Sequence, residues 1–368
     1  MSLTVQLQVF LDNAFADGPP RWGVVAYLSG EGGLETEAEG YWSTILTSAK
    51  AGGYDTALQI DGPDVCGRWS AAAGEEPVFT PLGKVNMGAG EEFTSFITWA
   101  LEEVTSEQNL LIVMGHGSGL ATQQPDLCGV AFDGGEGDSL TVRELADGLR
   151  AARERQLYVE TVCLDTCYGA SFEAACDLQG LATYFVASPG RVLSPGLPWP
   201  RILPALDLYM DGQQLAISLL THHDGSLVGV DLTAVAEVYE SFSSLVHVLS
   251  SNLCRVAPTL RFLRSRTPSW GYRDEMCDML RFMQELNTLA LPDAIALNAE
   301  TVASNLALAM IKVGPVVAAN VDTRSSTLGL FFPSTWERVP SHYRDAYEMP
   351  RVSGWADFLE LYYECAEL

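Results

Sequence analysis

Leu110-Leu111-Ile112-Val113-Met114-Gly115-His116-Gly117-Ser118-Gly119 decides how the chain is read, together with Tyr158-Val159-Glu160-Thr161-Val162-Cys163-Leu164-Asp165-Thr166-Cys167-Tyr168-Gly169. Each stretch opens on a short apolar run rich in β-branched residues and ends in glycine. A run of that length, bounded in that way, reads as a buried strand of a parallel sheet rather than as a helix. Each strand delivers one reactive side chain to its C-terminal end: an imidazole from the first, a thiol from the second. Open α/β sheets hold their ligands beyond the carboxyl ends of the strands. His116 and Cys167 are therefore read as a catalytic pair.

Outward from these strands, segments of the two periodicities alternate. Apolar runs at 22–28, 54–60 and 181–187 predict further strands, and residues 34–51, 91–104, 141–155 and 168–178 predict helices. Thr141 and Glu144 stand at capping-box spacing, which marks a helix start. The alternation is that of an α/β protein, with a mostly parallel sheet flanked by helices on both faces. Residues 3–11 read as one more short strand. Beyond Ser194-Pro195-Gly196-Leu197-Pro198-Trp199-Pro200 the pattern turns mainly helical, over 201–221, 233–252, 274–288, 296–312 and 355–366. Short strands are expected at 227–231 and 328–332. A soft boundary near 210 divides an α/β unit, 1–210, from a helical region, 211–368, packed upon it.

Charge narrows the partners. The chain carries 21 basic and 47 acidic residues, a formal net charge of −26. That balance excludes nucleic acid or an anionic membrane as the main partner and favours cationic ligands, basic peptide segments among them. The first residues show no basic patch and no apolar signal core, and no segment approaches the roughly 18 to 20 apolar residues of a membrane span. The expectation is a cytoplasmic protein whose eight cysteines are reduced thiols without disulfide spacing.

A thiol attacks as its thiolate, which a helix N-terminus or a nearby imidazolium favours. The helix expected from Tyr168 would supply the first and His116 the second. The backbone N–H groups of Gly117 and Cys167 would form an oxyanion hole. The bland alternative is a packed core histidine and a buried thiol; joint placement at glycine-bordered strand ends favours chemistry. Other motifs carry less. Ser29-Gly30-Glu31-Gly32-Gly33 follows a strand, but Glu31, Glu35, Glu37 and Glu39 would repel a phosphate. Cys163 and Cys167 lack a second ligand pair for zinc, and Ser118 stands in no nucleophile elbow. His222-His223-Asp224 reads as a surface turn, and Arg261, Arg264 and Arg266 as internal salt bridging.

Met114 to Gly119 and Leu164-Asp165-Thr166-Cys167 resemble the histidine and cysteine blocks of the clostripain family of cysteine peptidases, relatives of caspases, gingipains, legumains and separases. Trp22–Leu28, Leu82–Gly88, Gly137–Thr141, Val186–Ser188, Leu328–Ser334 and Gly354–Leu359 are similar to family segments in the same order. The resemblance implies a caspase-like sheet with a helical C-terminal extension, and hydrolysis of a peptide bond through a thioester on Cys167. It also implies that Asp165, with Ser188, lines an S1 pocket for an Arg or Lys side chain. No cofactor is required, although some members use calcium. The acidic run Asp133 to Asp138 lacks EF-hand spacing and reads as a solvated loop.

Two departures stand out. Leu197 occupies the place of an expected second acidic residue. Cleavage between the two blocks after a basic residue would have to fall at Arg143, Arg150, Arg153 or Arg155, inside a predicted helix. The alternative function, from another class, is a catalytically silent caspase-fold module for protein interaction.

Overall fold

A computed structural model describes residues 22–62, 65–118, 129–206, 210–222, 227–271, 274–311, 327–334 and 339–366. The strand expected over 3–11, much of the loop from 121, and His223 and Asp224 lie outside the described residues.

The strands of the main sheet are β1 (Trp22–Ser29), β2 (Asp55–Asp61), β3 (Cys66–Ala71), β4 (Val78–Pro81) and β5 (Gln108–Met114). A two-stranded ribbon of β6 (Ala131–Asp133) and β7 (Asp138–Leu140) intervenes, and β8 (Thr161–Asp165), β9 (Tyr184–Ala187) and β10 (Val228–Asp231) complete the sheet. Their order is β10-β9-β8-β5-β1-β2-β3-β4, eight strands in all. The five central strands, β2 to β9, run parallel, and the flanking pairs are antiparallel. Every residue of β1 and β2 is buried, as a strand covered on both faces requires.

Side chains alternate across the pleat, so each central strand feeds two cores. Val24, Ala26 and Leu28 of β1, with Leu110 and Ile112 of β5, pack on one side against α1 (Glu35–Lys50). Val25, Tyr27, Leu111 and Val113 face the other way, against α2 (Gly90–Glu103) and α3 (Val142–Glu154). Helix α3 carries the expected capping box, with the side chains of Thr141 and Glu144 each bonded to the other's backbone N–H. Arg143, Arg150 and Arg153 lie within it and Arg155 caps its end.

The helix expected from Tyr168 starts later, as α4 (Phe172–Leu178), because Tyr168 adopts a left-handed φ of 58° and Ser171 caps the first turn. The helix expected over 201–221 is broken by Pro204 and divides into α5 (Trp199–Ile202) and α6 (Gly212–His222). Beyond it come α7 (Val235–Ser251), α8 (Leu253–Arg264), α9 (Met279–Thr288) and α10 (Asp293–Ala309), then α11 (Ser341–Ala346), α12 (Met349–Val352) and α13 (Trp355–Ala366). A small sheet of β11 (Ser269–Trp270), β12 (Met276–Asp278) and β13 (Gly329–Phe331) lies among them.

The C-terminal region grips α4. Glu173 is fully buried, and its Oε1 accepts hydrogen bonds from the N–H of Phe331 (2.9 Å) and the hydroxyl of Tyr343 (2.8 Å). One helical turn on, Asp177 accepts from the N–H groups of Glu348 and Met349 at 2.8 and 3.0 Å. Burial pushes the Glu173 carboxyl from 4.5 up to about 7, against the opposing pull of those donors. The folded chain therefore holds this proton more tightly than the unfolded chain. Its stabilising contribution is complete below pH 4.5 and is lost as pH rises to about 7. Glu173→Gln, which keeps the acceptor and removes the titration, is expected to flatten that fall by on the order of 2 kcal/mol. Urea unfolding of both proteins at the two ends of the window measures it; parallel pH dependence would refute the assignment.

Candidate active site

The pairing of β5 with β8 sets Met114 opposite Asp165, so the residues just beyond the two strand ends emerge side by side. Gly117 then passes against the other chain segment with no room to spare. A Cβ built there would lie 2.4 Å from the carbonyl oxygen of Cys167 and 2.9 Å from Cβ and Oγ1 of Thr166. Glycine is required by this approach, which fixes the His116 loop onto the Cys167 loop.

The imidazole of His116 is exposed, and its Nε2 lies 3.0 Å from the carbonyl oxygen of Gly32. A carbonyl only accepts, so Nε2 carries the proton and Nδ1 is left as the basic nitrogen. Gly32 has a φ of +92°, and the ring Cδ2 lies 3.4 Å from the position of its missing Cβ. The glycine-rich turn after β1 is thus a bracket for the histidine. Sequence reading missed this role; the available signal was the glycine cluster on a strand neighbouring that of His116.

Cys167 is half-buried. Its Sγ accepts from the N–H of Val192 at 3.3 Å and lies 3.7 Å from the Val192 carbonyl oxygen. The corner after it is made by Tyr168, whose left-handed backbone costs roughly 1–3 kcal/mol for a non-glycine residue. A hydrogen bond from the Tyr168 N–H to the Gly190 carbonyl, 2.7 Å, holds the corner. The thiol therefore sits on a turn ahead of α4, and the helix start expected at the cysteine lies further along. Among the described residues, neither the Gly117 nor the Cys167 N–H donates to a backbone acceptor.

His116, Cys167 and Asp165 line one open cleft, with Glu37, Tyr41 and Arg191. Asp165 is only 4% exposed. Its Oδ2 accepts from the Tyr41 hydroxyl (2.6 Å), the indole N–H of Trp199 (2.9 Å) and the N–H of Leu197 (3.2 Å). Leu197 itself is buried. Ser188 lies behind the cleft wall, buried, its Oγ accepting from the Gly190 N–H at 3.2 Å and its carbonyl from the Ala170 N–H at 2.9 Å. Ser118 does not line the cleft; its N–H donates to the Gly129 carbonyl at 3.4 Å. Within the acidic run, Asp133 is buried and accepts from the N–H groups of Met87, Gly135 and Glu136, while residues 134–137 are exposed. Among the described residues no three His, Cys, Asp or Glu side chains converge as metal ligands. The seven described cysteines are thiols.

The sequence model of the clostripain family matches residues 70–285. No curated protein matches the chain. A secreted C11 cysteine protease of Bacteroides thetaiotaomicron, solved with an irreversible peptide inhibitor, superposes with a TM-score of 0.67 at 14% identity. That match covers 91% of this chain and 99% of the other. An inactive zymogen C11 protease of Parabacteroides distasonis gives 0.66 at 16% identity, over 95% and 98% of the two chains. These likenesses establish a shared fold. Among the described residues no helix is long and apolar enough to cross a membrane. The cytoplasmic expectation finds no support among these structures, the first of which is described as secreted.

Gly117→Ala tests the convergence. The added methyl meets backbone, which cannot swing aside, so kcat/KM on a peptide substrate should drop by about a hundredfold or more. The melting temperature should fall by only a few degrees. Retained activity would show that the two loops tolerate separation.

Proposed function

The chain belongs to the clostripain family of cysteine peptidases, and we propose that its peptide-bond hydrolysis runs through Cys167 and His116. What supports this most is one contact: the backbone of Gly117 against that of Cys167, which gathers an imidazole and a thiol at the rim of one cleft.

In the proposed mechanism the Cys167 sulfur, as thiolate beside the His116 imidazolium, attacks the scissile carbonyl carbon. The N–H groups of Gly117 and Cys167 stabilise the oxyanion of the tetrahedral intermediate. His116 then gives its Nδ1 proton to the leaving amine as the C–N bond breaks, while Nε2 stays bonded to the Gly32 carbonyl. The acyl group remains on sulfur as a thioester. The neutral imidazole next takes a proton from water, whose oxygen attacks the thioester carbon. Carbon–sulfur cleavage releases the acid and restores the thiolate–imidazolium pair.

The preferred substrate in this reading bears Arg or Lys on the acyl side of the cut bond. Its support is the acidic wall of the cleft, Asp165 and Glu37, within a chain of net charge −26.

Fluorogenic peptides ending in Arg, Lys or Leu, with and without calcium, test the reading in wild type and Cys167→Ala. Wild type should cleave the basic peptides, and the variant should lose activity by about a thousandfold or more. Iodoacetamide should label wild type at Cys167 and abolish turnover. Equal inertness of the two proteins on every peptide would favour the silent interaction module.

A further inference from the structure

Two cysteines meet outside the cleft. Cys254 stands in the first turn of α8 and Cys365 in the last turn of α13, 111 positions later. Their sulfurs lie 3.6 Å apart; Cys254 is exposed and Cys365 half-buried. Cys163 and Cys277, by contrast, are buried in the core, and Cys167 lines the cleft. Among the described residues no other two cysteine sulfurs touch. The helices that carry the pair pack together, with Val256 and Leu260 of α8 and Phe358 and Tyr362 of α13 in one buried cluster. Helix α13 in turn reaches the brace on α4. The indole N–H of Trp355 donates to the carbonyl of Phe331 at 2.9 Å, and the N–H of Phe331 is one of the two donors to Glu173.

We infer that Cys254 and Cys365 form a redox-modification site, a thiol pair that closes to a disulfide and staples α13 onto α8. The sulfurs need only draw in from 3.6 Å to the bond length of about 2.05 Å. Both stand at helix ends, where such a shift is easier than inside a close-packed core. The oxidant is a small-molecule disulfide of the glutathione class. Cys254, the more exposed thiol, attacks one of its sulfurs as a thiolate, which forms a mixed disulfide and expels one small thiolate. Cys365, also as a thiolate, then attacks the Cys254 sulfur, forms the internal bond and expels the second. The two cysteines are oxidised, the small disulfide is reduced to two thiols, and the protons the cysteines lose are taken up by the expelled thiolates. The link closes a loop spanning 111 positions, which restricts the unfolded chain and so favours the folded one.

The test treats the full chain with glutathione disulfide or with dithiothreitol. Each form is melted, run on a non-reducing gel and, after alkylation, digested without reduction for mass spectrometry. The oxidised protein should stay monomer-sized and yield a peptide pair joined through Cys254 and Cys365, which dithiothreitol separates. It should melt about 3–6 °C above its reduced form. In Cys254→Ser and in Cys365→Ser that difference should vanish; each protein is compared with itself, so any packing cost of the substitution cancels. Absence of the joined peptides, glutathione resting on Cys254 alone, or a link between two chains would overturn the site. A link without a higher melting temperature, or a rise that persists in either variant, would overturn its role as a staple.

Discussion

Backbone-to-backbone contact between Gly117 and Cys167 is the constraint on which the rest of the site depends. No side chain fits in that gap. The two strands behind it are held in register by parallel pairing, with Met114 beside Asp165, and both are locked between two hydrophobic cores. Moving either strand end would disturb packing on both faces at once, and close-packed interiors resist such shifts. The imidazole and thiol therefore project from a rigid corner. Gly32 completes the arrangement by fixing which ring nitrogen carries the proton.

Asp165 organises the floor next to that corner. A carboxylate so deeply buried is tolerated only when its oxygens are well supplied with donors. Tyr41, Trp199 and the Leu197 N–H supply them, from α1, from the start of α5 and from the loop after β9. Burial and the adjacent Asp165 carboxylate push the Tyr41 phenol well above its ordinary range, so it remains a donor. One buried charge thus binds an N-terminal helix to the wall of the cleft. The residues from 211 onward are tied in just as firmly. Strand β10 extends the main sheet by pairing with β9, and Glu173 and Asp177 fasten α4 to the last third of the chain. The segment that follows Cys167 is thereby braced by residues distant in sequence.

Much of the architecture was legible because it rests on local patterns. Short β-branched runs ending in glycine identify β1, β5 and β8, and a Thr–Glu capping box places the start of α3. The start of α4 was not legible, since Tyr168 takes a left-handed backbone and its N–H bonds to the carbonyl of Gly190, a contact between segments distant in sequence. The hairpin of β3 and β4 escaped notice because an exposed edge strand needs no apolar alternation, and every residue of β4 is exposed. The glycine turn at 30–33 was read only for phosphate binding and set aside, and its contact with His116 depends on β1 and β5 being neighbours, which no local pattern encodes.

The amino-acid sequence alone determined that an imidazole and a thiol stand just beyond the ends of two strands, because strand length, β-branching and terminal glycine are local properties. It determined the acidity of the surface as well. The tertiary structure alone decided what faces those side chains. Gly32 meets His116, and Val192 and Glu37 reach the cleft, through strand order and loop packing, while Asp165 turns inward to three donors. Such proximities are set by which strands adjoin and how helices cross them, long-range contacts to which sequence separation gives no guide.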